Sequence, residues 1–185
     1  MRATSIGITG TPGTGKKSIG KELSLILGYE LVHMNDLIID KGFILKRDES
    51  GIIVDLKSLR RELIGERYQE TVIIGHLLPQ VFQRGDLSRT IVLRCDPEEL
   101  LKRYIPRGYD PKKVEDNLWS EIIDSSLSES IERFGVRSTA EFNTTEKRPK
   151  QVAQEISDLI HGNSRKQLGI VNWLTDDRLK RLGLI

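Results

Sequence analysis

The segment Gly10-Thr11-Pro12-Gly13-Thr14-Gly15-Lys16 constrains this chain more than any other. It fits G-x-x-x-x-G-K. Before it stands a short, β-rich apolar run, residues 4–9; after it Ile19, Leu23, Ile26 and Leu27 recur at helical spacing until Gly28. A strand, a glycine-rich turn and a helix in that order aim successive N–H groups at one anion, and the helix N-terminus adds its positive end. Lys16 and Lys17 sit where cations are unfavourable unless a polyanion compensates them. The motif therefore predicts a nucleoside triphosphate, ATP first, on Gly13, Thr14, Gly15, Lys16, Lys17 and Ser18. Ser or Thr usually follows the motif lysine to hold Mg²⁺. Here that place is Lys17, which cannot coordinate a metal while protonated. Ser18 is then the expected ligand of Mg²⁺ or of one of its waters; otherwise metal binding is weakened.

The rest of the chain reads as alternating strands and helices. Residues 29–33, 71–75 (TVIIG), 90–94 (TIVLR) and 136–144 read as further strands. Asp96–Pro97 and Asp110–Pro111 each open a helix, the second a longer one carrying Val114, Leu118, Ile122 and Ile123 on one side. Arg107–Gly108–Tyr109 interrupts the pattern between them. Residues 35–66 are mixed: a polar helix start at Asn35–Asp36, a turn at 48–51 and a helix capped near Asp55. A helix from about Pro149 to Ile160, a linker at 163–169 and a short C-terminal helix after Thr175 complete it. This alternation predicts an α/β fold: a five-stranded parallel sheet with helices on both faces and ligands at the C-terminal strand ends. The expected organisation is one core over 1–162, then 163–185 as linker and helix.

Composition excludes several classes. With 29 basic and 27 acidic residues the net charge is +2, which gives no global argument for nucleic acid or membrane binding. A single cysteine, Cys95, rules out an internal disulfide and a cysteine-based metal cluster. No apolar run approaches a membrane span, and MRATSIGITG lacks the apolar stretch of a signal peptide; a cytoplasmic protein is expected.

GTPGTGK together with the RGY segment at 107–109 resembles the adenylate kinase isoenzyme 6 family, also called the coilin-interacting nuclear ATPase family, in its archaeal branch. The resemblance runs through Asn35–Asp36, the acidic stretch at 48–55, Gly75–His76, Val92–Leu93–Arg94, Asp96–Pro97, Arg103, Lys113, Asn117 and Glu121 to Asn172–Trp173. It implies a P-loop NTPase of nucleoside monophosphate kinase type, with reversible phosphoryl transfer between ATP and AMP (or another nucleoside monophosphate), Mg²⁺, an accompanying ATPase activity, and a part in small ribosomal subunit maturation. A small-subunit ribosomal protein and pre-ribosomal RNA are the implied partners. Carried over by position, Gly13, Gly15, Lys16 and Ser18 would hold the ATP phosphates, residues from about 32 to 57 would form a monophosphate-binding segment, Arg107 in a lid at about 104–116 would close over the triphosphate, and Arg148 would lie near the adenine. Adenylate kinases commonly have glycine after the motif lysine and the hydroxyl residue next, which favours Ser18. The family's acid-x-His motif reads Ile74-Gly75-His76, so the histidine matches and the acid does not.

The expected catalytic set is Lys16, His76, Arg103 and Arg107. His76 would contact the γ-phosphate or its attacking water. Arg103 and Arg107, four apart, would bind transferring phosphoryl oxygens, against the plainer reading of ion pairs with Glu98, Glu99 or Asp110. Asp36, Asp48 and Asp55 read at least as well as caps or turn formers, His33 and His161 as ordinary end-of-element histidines, Trp119 and Trp173 as packing residues. Arg165–Lys166 and Arg178–Arg181 read as solvated charge. Two further functions compete with the kinase: a nucleotide-switched assembly ATPase, favoured by the departures at 17 and 74, and a kinase for another small substrate such as a shikimate-like alcohol.

Overall fold

The computed structural model describes residues 4–48, 51–65 and 68–185. In chain order the elements are β1 (Ile6–Thr9), α1 (Lys16–Leu27), β2 (Glu30–His33), α2 (Met34–Asp40), β3 (Ile44–Asp48), β4 (Gly51–Val54), α3 (Leu56–Gly65), β5 (Thr71–Ile74) and α4 (Leu78–Val81). They continue with β6 (Arg89–Arg94), α5 (Pro97–Tyr104), a single 3-10 turn (Ile105–Arg107), α6 (Pro111–Ile122), α7 (Ser125–Phe134), β7 (Thr139–Asn143), α8 (Pro149–Ile160) and α9 (Asp176–Arg181). The main sheet has the order β2-β5-β1-β6-β7, every pair parallel; β3 and β4 form a separate antiparallel hairpin.

Burial on both faces explains why β1 and β5 read as unbroken apolar runs. Ile6, Ile8, Val72, Ile74, Ile91 and Leu93 pack on one face against Ile19 and Leu23 of α1 and Val152, Ala153 and Ile156 of α8. Each such side chain, withdrawn from water, contributes about 1.5–3 kcal/mol. Ile73 points the other way, to Met34, Ile38, Leu59, Leu63, Leu78 and Phe134. Period two along β5 thus assigns its residues to two cores. β1 lies in the centre, and the chain crosses it when it passes from β5 to β6. The loop after β1 is therefore held between two strand ends, at the carboxyl edge of the sheet where ligands bind in such folds.

Three differences from the sequence reading have physical causes. The region 35–66 contains the hairpin β3–β4, whose Ile44 and Val54, with Phe43 and Leu56, pack on the second core; its turn at 49–50 lies outside the described residues. The long helix expected from Asp110 stops at Ile122, and Ile123 is exposed instead of sharing the apolar face. It stops because Asp124 is left-handed (φ 60°) and because Arg94 Nη2 donates to the Glu121 carbonyl at 2.8 Å, capping the helix end. Finally, the expected linker lies along the edge strand: Glu141 N donates to Gln167 O at 3.0 Å, and Ile170 N donates to Glu141 Oε2 at 3.0 Å. A covered edge cannot recruit a foreign strand.

Arg94 is the largest fully buried side chain. Its Nε donates to Glu121 Oε1 and its Nη1 to Glu141 Oε1, both at 2.8 Å, and Nη2 also reaches Asp124. Burial alone would lower its pKa; the Glu121 and Asp124 carboxylates more than offset this, and the pKa is raised. Replacing one member of such a cluster leaves buried charge unpaired. Arg94→Met should lose about 3–5 kcal/mol of stability, read as a fall in the urea midpoint.

Candidate active site

The loop between β1 and α1 is fixed by its carbonyls. Lys16 Nζ donates to Gly10 O at 2.7 Å and to Thr11 O at 3.0 Å; Thr14 Oγ1 donates to Thr11 O at 2.9 Å. The Tyr104 hydroxyl donates to Pro12 O, and Arg103 Nη1 donates to Gly13 O at 3.0 Å. Thr144 Oγ1 lies 3.0 Å from Thr14 O and 2.9 Å from Arg94 O. The Arg94 carbonyl already accepts from Thr144 N at 2.8 Å, so the hydroxyl proton is free for Thr14. Ile19 N takes Gly15 O at 2.9 Å. Every carbonyl from Gly10 to Gly15 therefore has a donor, and none needs to face an incoming anion.

The donors that can meet the anion lie in the first turn of α1. Gly15, its N-cap, is left-handed (φ 98°) and supplies no side-chain cap, so the N–H groups opening the helix are left for a ligand. Gly13 (φ 88°) has no room for a side chain: a Cβ there would stand 2.9 Å from Tyr104 Cε1 and 3.1 Å from Leu100 Cδ2. The third lysine hydrogen remains after its two carbonyl bonds. Burial lowers the Lys16 pKa to about 8, the Glu121 carboxylate raises it, and the Arg107 guanidinium lowers it further. Lys17 and Ser18 are both exposed at the head of α1.

The segment around 104–113 brings further cations within electrostatic reach, Arg107 of Lys16 and Lys113 of His76. Tyr104 stacks on Tyr109 with centroids 5.2 Å apart, and the Lys113 ammonium lies 5.5 Å above the Tyr109 ring. Asp110 Oδ1 caps α6 by accepting from Lys112 N at 3.0 Å and Lys113 N at 3.2 Å. Arg103 pairs with Glu99 at 3.2 Å, as the plainer reading expected, and also donates to the loop at the Gly13 carbonyl. It sits on α5, whereas Arg107 belongs to the 3-10 turn before left-handed Gly108 (φ 60°) and is exposed. His76 follows β5 at the same edge. Partial burial first, then the Lys16 and Lys113 charges, hold its pKa below the ordinary imidazole value.

Ile74 packs into the first core: a Cβ on Gly20 of α1 would stand 2.7 Å from its Cγ2. A carboxylate on that rotamer would meet α1, so none is positioned there for a metal. Arg148, the residue before α8, is exposed; its loop is joined to the phosphate loop through Thr144. Among the described residues no three His, Cys, Asp or Glu side chains converge as metal ligands. The Ser18 hydroxyl is a hard oxygen donor, and a single one suits Mg²⁺, which keeps waters and is held largely by phosphates. Tyr104 and Thr144 carry no motif that would have marked them beforehand. Lys113 and Glu121 stand inside the RGY…K…N…E run, but a sequence does not show which way they face.

Residues 6–124 match the family described as AAA domain. A protein of Thermococcus kodakarensis named "Putative adenylate kinase" is 36% identical over 170 residues, spanning 91% of this chain and 92% of that protein. One of the same name from Natronomonas pharaonis is 34% identical over 170 residues, spanning 91% and 96%. The chain belongs to this archaeal family. Among solved structures, shikimate kinase from Acinetobacter baumannii superposes with a TM-score of 0.61 at 21% identity over 89% of this chain and 96% of that one. Thymidylate kinase from Candida albicans gives 0.56 at 14% identity over 88% and 92%. These likenesses establish the fold as that of the P-loop kinases.

At pH 8 about half the empty loops hold a neutral Lys16, and a polyphosphate must recharge it. ATP binding at pH 8 should therefore take up about half a proton, fading below pH 7 and absent in Lys16→Met. Calorimetry in buffers of different ionisation heat measures this. Lys113→Met should raise the His76 pKa in the free protein, because a repelling charge is removed while burial remains. An NMR titration of the imidazole reads the shift, and an unmoved value would place Lys113 elsewhere.

Proposed function

We propose that this chain is a nucleoside monophosphate kinase that transfers the γ-phosphoryl group of ATP to AMP or a closely related monophosphate. The observation that carries the reading is the loop itself: all carbonyls from Gly10 to Gly15 are bonded, Arg103 is one of their donors, the Arg107 charge reaches Lys16, and the Lys16 and Lys113 charges reach His76. Phosphoryl transfer needs positioning and charge neutralisation more than covalent chemistry. This surround offers both.

In the reaction an oxygen of the monophosphate forms the new bond to Pγ, while the bond from Pγ to the β,γ-bridging oxygen breaks and its electron pair leaves with ADP. Gly13, Thr14, Gly15, Lys17 and Ser18 seat the β- and γ-phosphates, and Lys16 follows the charge as it moves toward the bridging oxygen. Arg107, beside Gly108, swings with the 104–116 segment onto the triphosphate, and Arg103 steadies the loop while offering its remaining N–H groups. His76, its neutral form favoured by burial and by the Lys16 and Lys113 charges, contacts the γ-phosphate or, in the hydrolysis reaction, the attacking water. Ser18 would hold Mg²⁺, directly or through one of its waters, and the ion would supply charge neutralisation when bound. Residues 32–57, which include α2 and the hairpin, form the monophosphate segment, and Arg148 borders the adenine.

A slow ATPase accompanies this when water replaces the acceptor. The partners that fit the resemblance are a small-subunit ribosomal protein and pre-ribosomal RNA. One observation favours a reading as an assembly ATPase with little kinase turnover: Lys17 follows the motif lysine and Ile74 is in the core, which leaves few protein ligands for the metal.

A coupled assay separates the two. ADP formation should require AMP, and Arg107→Ala should lower kcat by about 10²–10³. AMP-independent hydrolysis at an equal rate would overturn the kinase in favour of the ATPase. Competition among monophosphates and shikimate-like alcohols identifies the acceptor.

A further inference from the structure

The C-terminal residues do not behave as a solvated charged tail. Arg178 is mostly buried: its Nη2 donates to Asp96 Oδ2 at 2.7 Å, and its guanidinium carbon lies 4.7 Å above the Trp173 ring. Arg181 pairs with Glu98 at 2.8 Å. Leu182 and Leu184 pack on Cys95, Leu100, Tyr104 and Leu118. The tail thus lies on α5, the helix that carries Arg103 and Tyr104.

Asp96 is where these contacts meet. Its Oδ1 caps α5 by accepting from Glu98 N at 2.8 Å, and its own N–H donates to Thr145 Oγ1 at 2.8 Å. Thr145 adjoins Thr144, the donor to Thr14 O. From Asp96 one branch runs along α5 to the Pro12 and Gly13 carbonyls, and the other runs through 144–145 to the Thr14 carbonyl. Arg178 holds the point where both begin.

We infer that Arg178 is a positioning residue for the triphosphate site: pinned between Asp96 and Trp173, it holds α5 and the 144–145 turn at the spacing that keeps the Pro12, Gly13 and Thr14 carbonyls bonded away from the anion. It rests on the reading of the Gly10–Ser18 loop as the ATP site. Loss of Arg178 frees two of the branches that orient the loop, and carbonyls that relax inward repel phosphate. Among the described residues, none of those at 32–57, the proposed monophosphate segment, takes part in these contacts, so only the ATP side should respond.

The test measures ATP and AMP affinity by calorimetry, with thermal midpoints, in the full chain and in Arg178→Met, Arg178→Lys, Asp96→Asn and Arg178→Met/Asp96→Asn. Asparagine still caps a helix but lacks the charge. Arg178→Met should weaken ATP binding about fivefold to tenfold, as coupled neighbours do, and leave AMP affinity within about twofold. Arg178→Lys should restore part of the loss, and the double variant should be no worse than Arg178→Met. If Arg178→Met does not fold, the ATP-against-AMP split in Asp96→Asn decides. Lower melting with unchanged ATP affinity, or equal losses for both nucleotides, would overturn the proposal and leave the functional reading intact. A wild-type chain that does not bind ATP would overturn both.

Discussion

The orientation of the loop carbonyls from Gly10 to Gly15 is the constraint on which the site depends. A peptide group presents a donor on one side and an acceptor on the other, so an anion can be cradled only if the acceptors are bonded elsewhere. In this chain the donors come from Lys16 and Thr14 within the loop, from Arg103 and Tyr104 on α5, and from Thr144 after β7. The glycines allow the turn; side chains brought from 90 and more residues away keep it open to the anion.

Those distant donors are themselves fixed by the ionic core. Arg94 at the end of β6 joins Glu121 and Asp124 at the end of α6 to Glu141 on β7. Glu121 Oε1 also accepts from Cys95 N at 3.0 Å, at the point where the chain turns toward α5. The same carboxylate supports the charge on Lys16. One buried cluster therefore sets the position of α5, ends α6, and adjusts the electrostatics of the phosphate loop.

Much of the fold was legible in the sequence because its signals are local. Gly28 closes α1, Asp96 and Asp110 cap their helices by side-chain bonds, and α8 spans Pro149–Ile160 as its pattern indicates. The hairpin at 44–54 was hidden because its apolar residues alternate only weakly and a bulge shifts the register between Ile44 and Lys46. The break before α7 was hidden because Arg94, 27 residues earlier, causes it. The tail was misjudged for the same reason: Arg178 and Arg181 look solvated until the acids of α5 are placed beneath them.

The sequence by itself determined that a strand, a glycine-rich loop and a helix would follow one another with Lys16 at the head of α1, because spacing and glycine placement are local properties. It also marked His76, Arg103 and Arg107. Only the tertiary structure decided that Arg103 bonds the loop as well as Glu99, that Ile74 faces α1, and that Lys113, Tyr104 and Thr144 join the site. The direction a side chain faces is set by what packs behind it, and here those neighbours come from strands and helices far away along the chain.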